Sequence, residues 1–117
     1  MKRSDVGQLK IDPDERELLL WKIPNQVING FKVDCFQERV GASENEFNSL
    51  TKHLRSMSDS EAVALDPHEM RVFRNALALT MFELGVEEFA TQTGSAFEQG
   101  HRILRELNSL LEIGEID

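Results

Sequence analysis

Apolar positions recur at three- and four-residue steps in four stretches of the chain, and the breaks between these stretches fall at turn-forming residues. Leu19, Ile23, Val27 and Ile28 make the first stripe, and Phe47, Leu50, Leu54 and Met57 the second. Phe73, Ala76, Leu77, Met81 and Leu84 make the third, and Ile103, Leu104, Leu107, Leu110 and Leu111 the fourth. Such steps place each set on one side of a helix, so the pattern predicts four long helices. Residues 1–10 carry no period and read as a loose arm.

Boundary signals sharpen these expectations. Asp12-Pro13-Asp14-Glu15 starts the first helix: Asp12 accepts from exposed amides, Pro13 suits the first helical position and Glu15 completes a capping box. Asp66, Pro67 and Glu69 repeat that grammar before the third stripe. Ser43 with Glu46, and Ser95 with Glu98, have capping-box spacing before the second and fourth. Pro24 removes a backbone donor inside the first stripe and predicts a kink or break near Ile23. The third helix has no internal proline and should run straight until Gly85 ends it. Val33 with Phe36, and Val86 with Phe89, have the spacing of a short helical turn, which Gly41 and Gly94 would close in left-handed conformation. Phe31, Val33 and Cys35 alternate as a short strand would, but the second loop lacks that alternation, which favours the turn.

These signals occur twice. Residues 33–41 recur as 86–94 after 53 positions, and the helix starts 11–15 and 65–69 are 54 apart. The reading is therefore two tandem helix-loop-helix repeats, 11–56 and 65–117, joined by a linker at 57–64 and preceded by the arm at 1–10. A unit of about 40 residues rarely sustains its own core. The two are expected to pack pseudo-symmetrically as one domain, 1–117, in an all-α helical bundle. Phe36 and Phe89 should then point inward, and Trp21 and Phe31 should belong to the core or its edge. Phe47 aligns with Gly100, and a helical glycine costs about 1 kcal/mol against alanine, so a neighbour is expected to pack closely there.

Composition narrows the class of protein. Hydrophobic residues at 40% and charged residues at 29% are an ordinary globular balance, which argues against disorder. The longest apolar run, Leu18 to Trp21, is too short to cross a membrane. Met1-Lys-Arg-Ser-Asp-Val-Gly lacks an apolar stretch behind its two bases, so no secretory signal is expected. With the single Cys35 no internal disulfide can form, and cytoplasmic residence is the simplest expectation.

Charge is distributed unevenly. The net charge is -8, and residues 58–117 hold all of the excess, with four bases against twelve acids. Asp59, Glu61, Glu83, Glu87, Glu88 and Glu98 flank the second loop and the linker. Such a surface disfavours nucleic acid and membranes and would steer a basic protein partner; a net charge of this size also serves solubility.

Signals for catalysis are weak. His53, His68 and His101 lack a nucleophile pattern, and neither a phosphate-cradling glycine loop nor a G-x-S-x-G elbow occurs. Only His68 and Glu69 approach ligand spacing, and helix capping and the helix dipole account for both, so no metal or cofactor is expected. Asp34 and Glu38 would raise the Cys35 thiol pKa, which suggests an inert, buried or half-buried cysteine. A glycine turn followed by a capped helix also has the form of a helix-turn-helix. In the first repeat the leading residues Glu44, Asn45, Glu46, Asn48 and Ser49 have the wrong sign for phosphates. In the second, Gln99, His101, Arg102 and Arg105 are better suited to DNA.

Phe36, Arg39 and Gly41 in the first loop, and Glu88, Phe89, Thr91 and Gly94 in the second, resemble an E-F-x-T-R-x-G segment found between two helices in small bacterial proteins of uncharacterised function. Glu38 stands where threonine is usual in the first copy, and Gln92 replaces the arginine in the second. The resemblance covers both repeats and implies a helical fold and a bacterial source; it carries no activity. The sequence reading is a non-catalytic protein-binding module, of the acidic inhibitor or immunity type, for a basic bacterial partner. Its alternative is a helix-turn-helix regulator.

Overall fold

The computed structural model describes residues 2–3, 9–11, 13–56 and 63–115, with residues 2–3, 9–10, 63–64 and 112–115 as backbone only. The fold is all-α in its packed body. Helix α1 covers 13–30, followed by α2 (Phe36–Val40), α3 (Glu44–Arg55), α4 (Pro67–Thr93) and α5 (Phe97–Glu115). A small antiparallel sheet closes one end, with strands β1 (Lys2–Arg3), β2 (Leu9–Ile11) and β3 (Val63–Leu65) in that order. Leu9 pairs with Leu65 and Ile11 with Val63. Parts of the stretches read as a loose arm and a linker are thus paired strands. Strands of two or three residues are too short to show a period, and β3 lies more than fifty positions from its partner β2. Burial of Ile11 and Leu65 anchors the pairing to the helices.

Helix α1 passes through Pro24 without the expected break. Lys22, Ile23, Asn25 and Gln26 all keep right-handed helical dihedrals. On either side the bonding widens to i→i+5, over Leu18–Lys22 and Gln26–Gly30. Ile23 N–H donates to the Leu18 carbonyl and Phe31 N–H to that of Gln26, at 3.2 Å for the latter. Widened turns of this kind absorb a residue that cannot join the i→i+4 ladder. In a regular i→i+4 ladder the Leu20 carbonyl would take the N–H of residue 24, which Pro24 lacks. Arg55 of α3 supplies the missing donor through Nε.

At the centre of the packing is α4, which touches α1, α2, α5 and β3. Its buried positions include Val72, Phe73, Ala76, Leu77, Leu79, Thr80 and Met81, which cover more than one face. A helix apolar on more than one side needs cover on more than one side. Phe47 and Phe73 meet at 5.7 Å between ring centroids, and Phe36, half-buried, leans edge-on against Phe47 at 5.8 Å. The buried hydroxyls of Thr51, Thr80 and Thr93 each return a hydrogen bond to the carbonyl four residues back, at 2.7, 2.8 and 2.6 Å. They enter the core without requiring a partner on another element.

Two of the expected caps form, and one of these is a full capping box. Ser43 Oγ accepts from Glu46 N–H at 3.1 Å. Asp66 and Glu69 exchange reciprocal bonds of 2.8 Å. Burial is the main reason the Glu69 carboxyl titrates above its ordinary range. Asp12 lies outside the described residues. Ser95 does not cap α5: its N–H donates to Thr93 Oγ1 at 3.1 Å, and the first helical bonds go to the carbonyl of Ala96. Ala96 is the position that matches Ser43 at the spacing relating Gly100 to Phe47, so the serine lies one residue early.

Gly41 and Gly94 have φ of 91° and 73° and end α2 and α4 in left-handed conformation. Gly85, expected to end a helix, instead redirects one: at φ 75° and ψ -177° it is non-helical, and the chain resumes helical geometry up to Thr93. Gly100 is crowded as the alignment suggested. A Cβ there would meet Phe89 Cζ at 3.0 Å and Met81 Sδ at 3.2 Å.

Two measurements check this account. Gly100→Leu should lower stability by about 1–3 kcal/mol in urea unfolding, the usual cost of overpacking; an unchanged midpoint would contradict the packing of Phe89 on Gly100. Arg55→Ala should cost about 1–3 kcal/mol by leaving the Leu20 carbonyl short of a donor. The loss should shrink in a Pro24→Ala background, where residue 24 regains its N–H, and a double-mutant cycle without coupling would refute the link.

Candidate protein-binding surface

The turn at Gly85 decides what α4 shows to solvent. Before it, Leu79 and Met81 are buried while Phe82 is 82% exposed; after it, Phe89 is fully buried while Val86 is 64% exposed. Two large apolar side chains therefore stand in water on either side of one glycine. Only glycine adopts that combination of φ and ψ at low cost, because a Cβ would collide with its own backbone.

Beside Phe82 is a shallow hollow of about 310 Å³, lined also by Arg39, Asn75, Ala78 and Leu79. Its far wall is α2, held in place by polar bonds. Asn75 Nδ2 donates to the Val40 carbonyl at 3.0 Å, and the Arg74 guanidinium donates to Asn75 Oδ1 at 3.2 and 3.1 Å. Arg39 reaches back to Glu83 at 3.6 Å, with both side chains partly exposed. Exposed pairs of this kind add little stability. What this one does is orient a charge beside the ring.

The acidic residues predicted as a set separate into three groups. Glu83, Glu87 and Glu88 flank the Gly85 turn in sequence and are all exposed, with Glu88 Oε2 accepting from Gln92 Nε2 at 3.2 Å. Glu98 lies on α5 and lines a different hollow, together with Gln99, His101, Arg102 and Arg105. Asp59 and Glu61 are outside the described residues. The four residues considered for DNA contact thus share one hollow of about 820 Å³, and a carboxylate shares it with them. The His101 ring packs edge-on against Phe97 at 5.6 Å.

Phe82 and Val86 are the two residues that sequence reasoning missed. Phe82 lies off the stripe of Phe73, Ala76, Leu77, Met81 and Leu84, and an apolar residue off its helix stripe is a usable signal. Val86 has the spacing of one helical turn with Phe89, but after the positive-φ Gly85 it stands exposed while Phe89 is buried. Trp21, expected at the core or its edge, is half exposed at 51%, whereas Phe31 is half-buried.

Cys35 corrects a further expectation. It is exposed, and it holds a left-handed φ of 55° just before α2. Hydrogen bonding and charge from Glu38 raise its thiol pKa, with a smaller contribution from Asp34. An exposed thiol held as the neutral acid reacts slowly. His68 Nε2 lies 3.1 Å from Glu46 Oε1, where it ties the starts of α3 and α4 together at the surface.

Comparison of the chain with protein-family models, with curated proteins and with solved structures gave no match. No described helix is long and apolar enough to cross a membrane.

The origin of the Cys35 shift can be tested directly. Glu38→Gln removes the charge that stabilises the protonated thiol, so the pH profile for alkylation by iodoacetamide should move to lower pH. At neutral pH the variant should react faster than the parent; equal rates would show that Glu38 does not set the thiol's acidity.

Proposed function

We propose that this protein is a non-catalytic protein-binding module whose docking surface is the ridge of Phe82 and Val86 with the carboxylates Glu83, Glu87 and Glu88. The exposure of Phe82 beside a hollow carries the reading. A ring left in water forgoes about 1.5–3 kcal/mol of burial, and large aromatics in such positions are the usual anchors of protein interfaces. The neighbouring carboxylates select a basic partner by steering its approach and repelling acidic competitors. This is the role of an acidic inhibitor or immunity-type protein, acting in a bacterial cytoplasm on a basic target. The two halves are proposed to descend from one helix-loop-helix unit. Gly41 and Gly94 then close equivalent turns, and only the second half has acquired the exposed ridge.

A second reading, DNA contact through Gln99, His101, Arg102 and Arg105, draws on their common hollow. Its weakness is Glu98 in the same hollow and the net charge of -8.

Immobilised protein, exposed to lysate and washed at low and high salt, distinguishes the readings when the Phe82→Asp variant is run beside it. A basic protein retained by the parent, weakened by salt and lost with Phe82→Asp is the expected result. A partner retained equally by both would displace the ridge as the docking surface. Recovery of duplex DNA, lost with Arg102→Ala and Arg105→Ala, would replace this reading with the regulator.

A further inference from the structure

A third concavity, on other elements than the ridge, has the opposite charge to the ridge. It is a cleft of about 670 Å³ between α1 and the end of α3, lined by Arg16, Glu17, Trp21, Lys22, Asn25 and Arg55 among others. Three of these six are cationic and one is anionic, in a chain whose net charge is -8. The volume falls in the range of about 300–1,000 Å³ that small-molecule sites occupy.

Arg55 is held from several directions. Its guanidinium lies over the Trp21 ring at 4.2 Å, its Nε donates to the Leu20 carbonyl, and its own carbonyl accepts from Arg16 Nη2 at 3.0 Å. Replacing the donor that Pro24 lacks accounts for Nε, and shielding by Trp21 accounts for the face. Neither uses the Nη edge, which meets no acceptor among the described residues. Lys22 and Glu17 likewise form no ion pair among the described residues, although both line the cleft. A guanidinium fixed on its inner side and unsatisfied on its outer one is a pre-organised fork for an oxyanion. Little freedom is left for binding to remove.

The remaining lining residues constrain the body that bears the oxyanion. Trp21 is 51% exposed and offers an aromatic surface, while the Asn25 amide and the Glu17 carboxylate offer a donor and acceptors to the edge of a ring. We propose that this cleft binds a small flat aromatic molecule carrying a carboxylate or phosphate, with the ring against Trp21 and the oxyanion between Arg55 and Lys22. The site is independent of the partner-binding ridge, and either can fail without the other.

Trp21 is the single tryptophan of the chain, so its emission reports on the cleft alone. Titration calorimetry and Trp21 emission should be followed with adenosine 5′-monophosphate and benzoate, against adenosine, benzyl alcohol and inorganic phosphate. The expected result is saturable binding of one or both aromatic anions with Kd below about 1 mM, and binding at least about tenfold weaker for the matched neutral compounds and for phosphate alone. Binding of the nucleotide alone assigns a phosphate ligand, and of benzoate alone a carboxylate. Lys22→Gln, at an exposed position, should weaken binding about tenfold through loss of one charged contact, with helical circular dichroism unchanged. Arg55→Lys, which keeps the charge and loses the fork, should weaken it at least as much. No saturation by either anion, equal binding of the neutral compounds, or affinity indifferent to both substitutions would each overturn the proposal.

Discussion

The fold depends on the fact that α4 cannot face water on most of its circumference. Phe73, Leu77, Thr80 and Met81 need cover on one side, while Val72 and Leu79 need it on another. Burying a side chain of the size of Phe73 or Leu77 is worth about 1.5–3 kcal/mol each, more than a typical neutral hydrogen bond contributes net. The other elements are placed by that requirement: α1 and α2 cover one flank, α5 another, and β3 the entry. Where cover ends, at Phe82, the surface changes character.

Much of this was legible in the sequence because local rules act alone at helix starts and at crowded glycines. The reciprocal bonds of Asp66 and Glu69 need only four consecutive residues. So does the left-handed ending at Gly41. The crowding at Gly100 was visible because a helical glycine is costly enough to need a reason. What escaped depends on partners distant in the chain. The pairing of Leu9 with Leu65 has no local signature, and neither does the donation from Arg55 that lets α1 continue through Pro24. The Ser95 cap failed for a different reason: the first helical bonds go to the carbonyl of Ala96, so the serine lies one residue before the cap position.

The candidate surfaces show the same division. Charge counting located the acidic half correctly but could not tell which carboxylates share a surface. Glu98 proved to sit with Arg102 and Arg105 in place of Glu83, because α5 begins a new direction after Gly94. Nor could counting find the cationic cleft, since Arg16, Lys22 and Arg55 come from a first half that sums to neutrality. A net charge describes a molecule from a distance, whereas a binding site reads only the few groups within a Debye length of about 8–10 Å.

The glycine at 85 has a consequence for how the chain divides mechanically. Covalently, 67–93 is one rod interrupted by a turn. By packing, the piece after the turn belongs elsewhere: Phe89 rests on Gly100 and stacks edge-on with Phe97 at 5.6 Å, and Thr93 holds the amide of Ser95. Residues 86–93 are therefore riveted to α5 on one side and joined to the rest of α4 by a single backbone joint with no Cβ to stiffen it. Met81, before the joint, packs on the same Gly100, so α5 clamps the longest helix on both sides of its turn, and a load applied at Phe82 or Val86 is carried by that clamp as well as by the backbone joint.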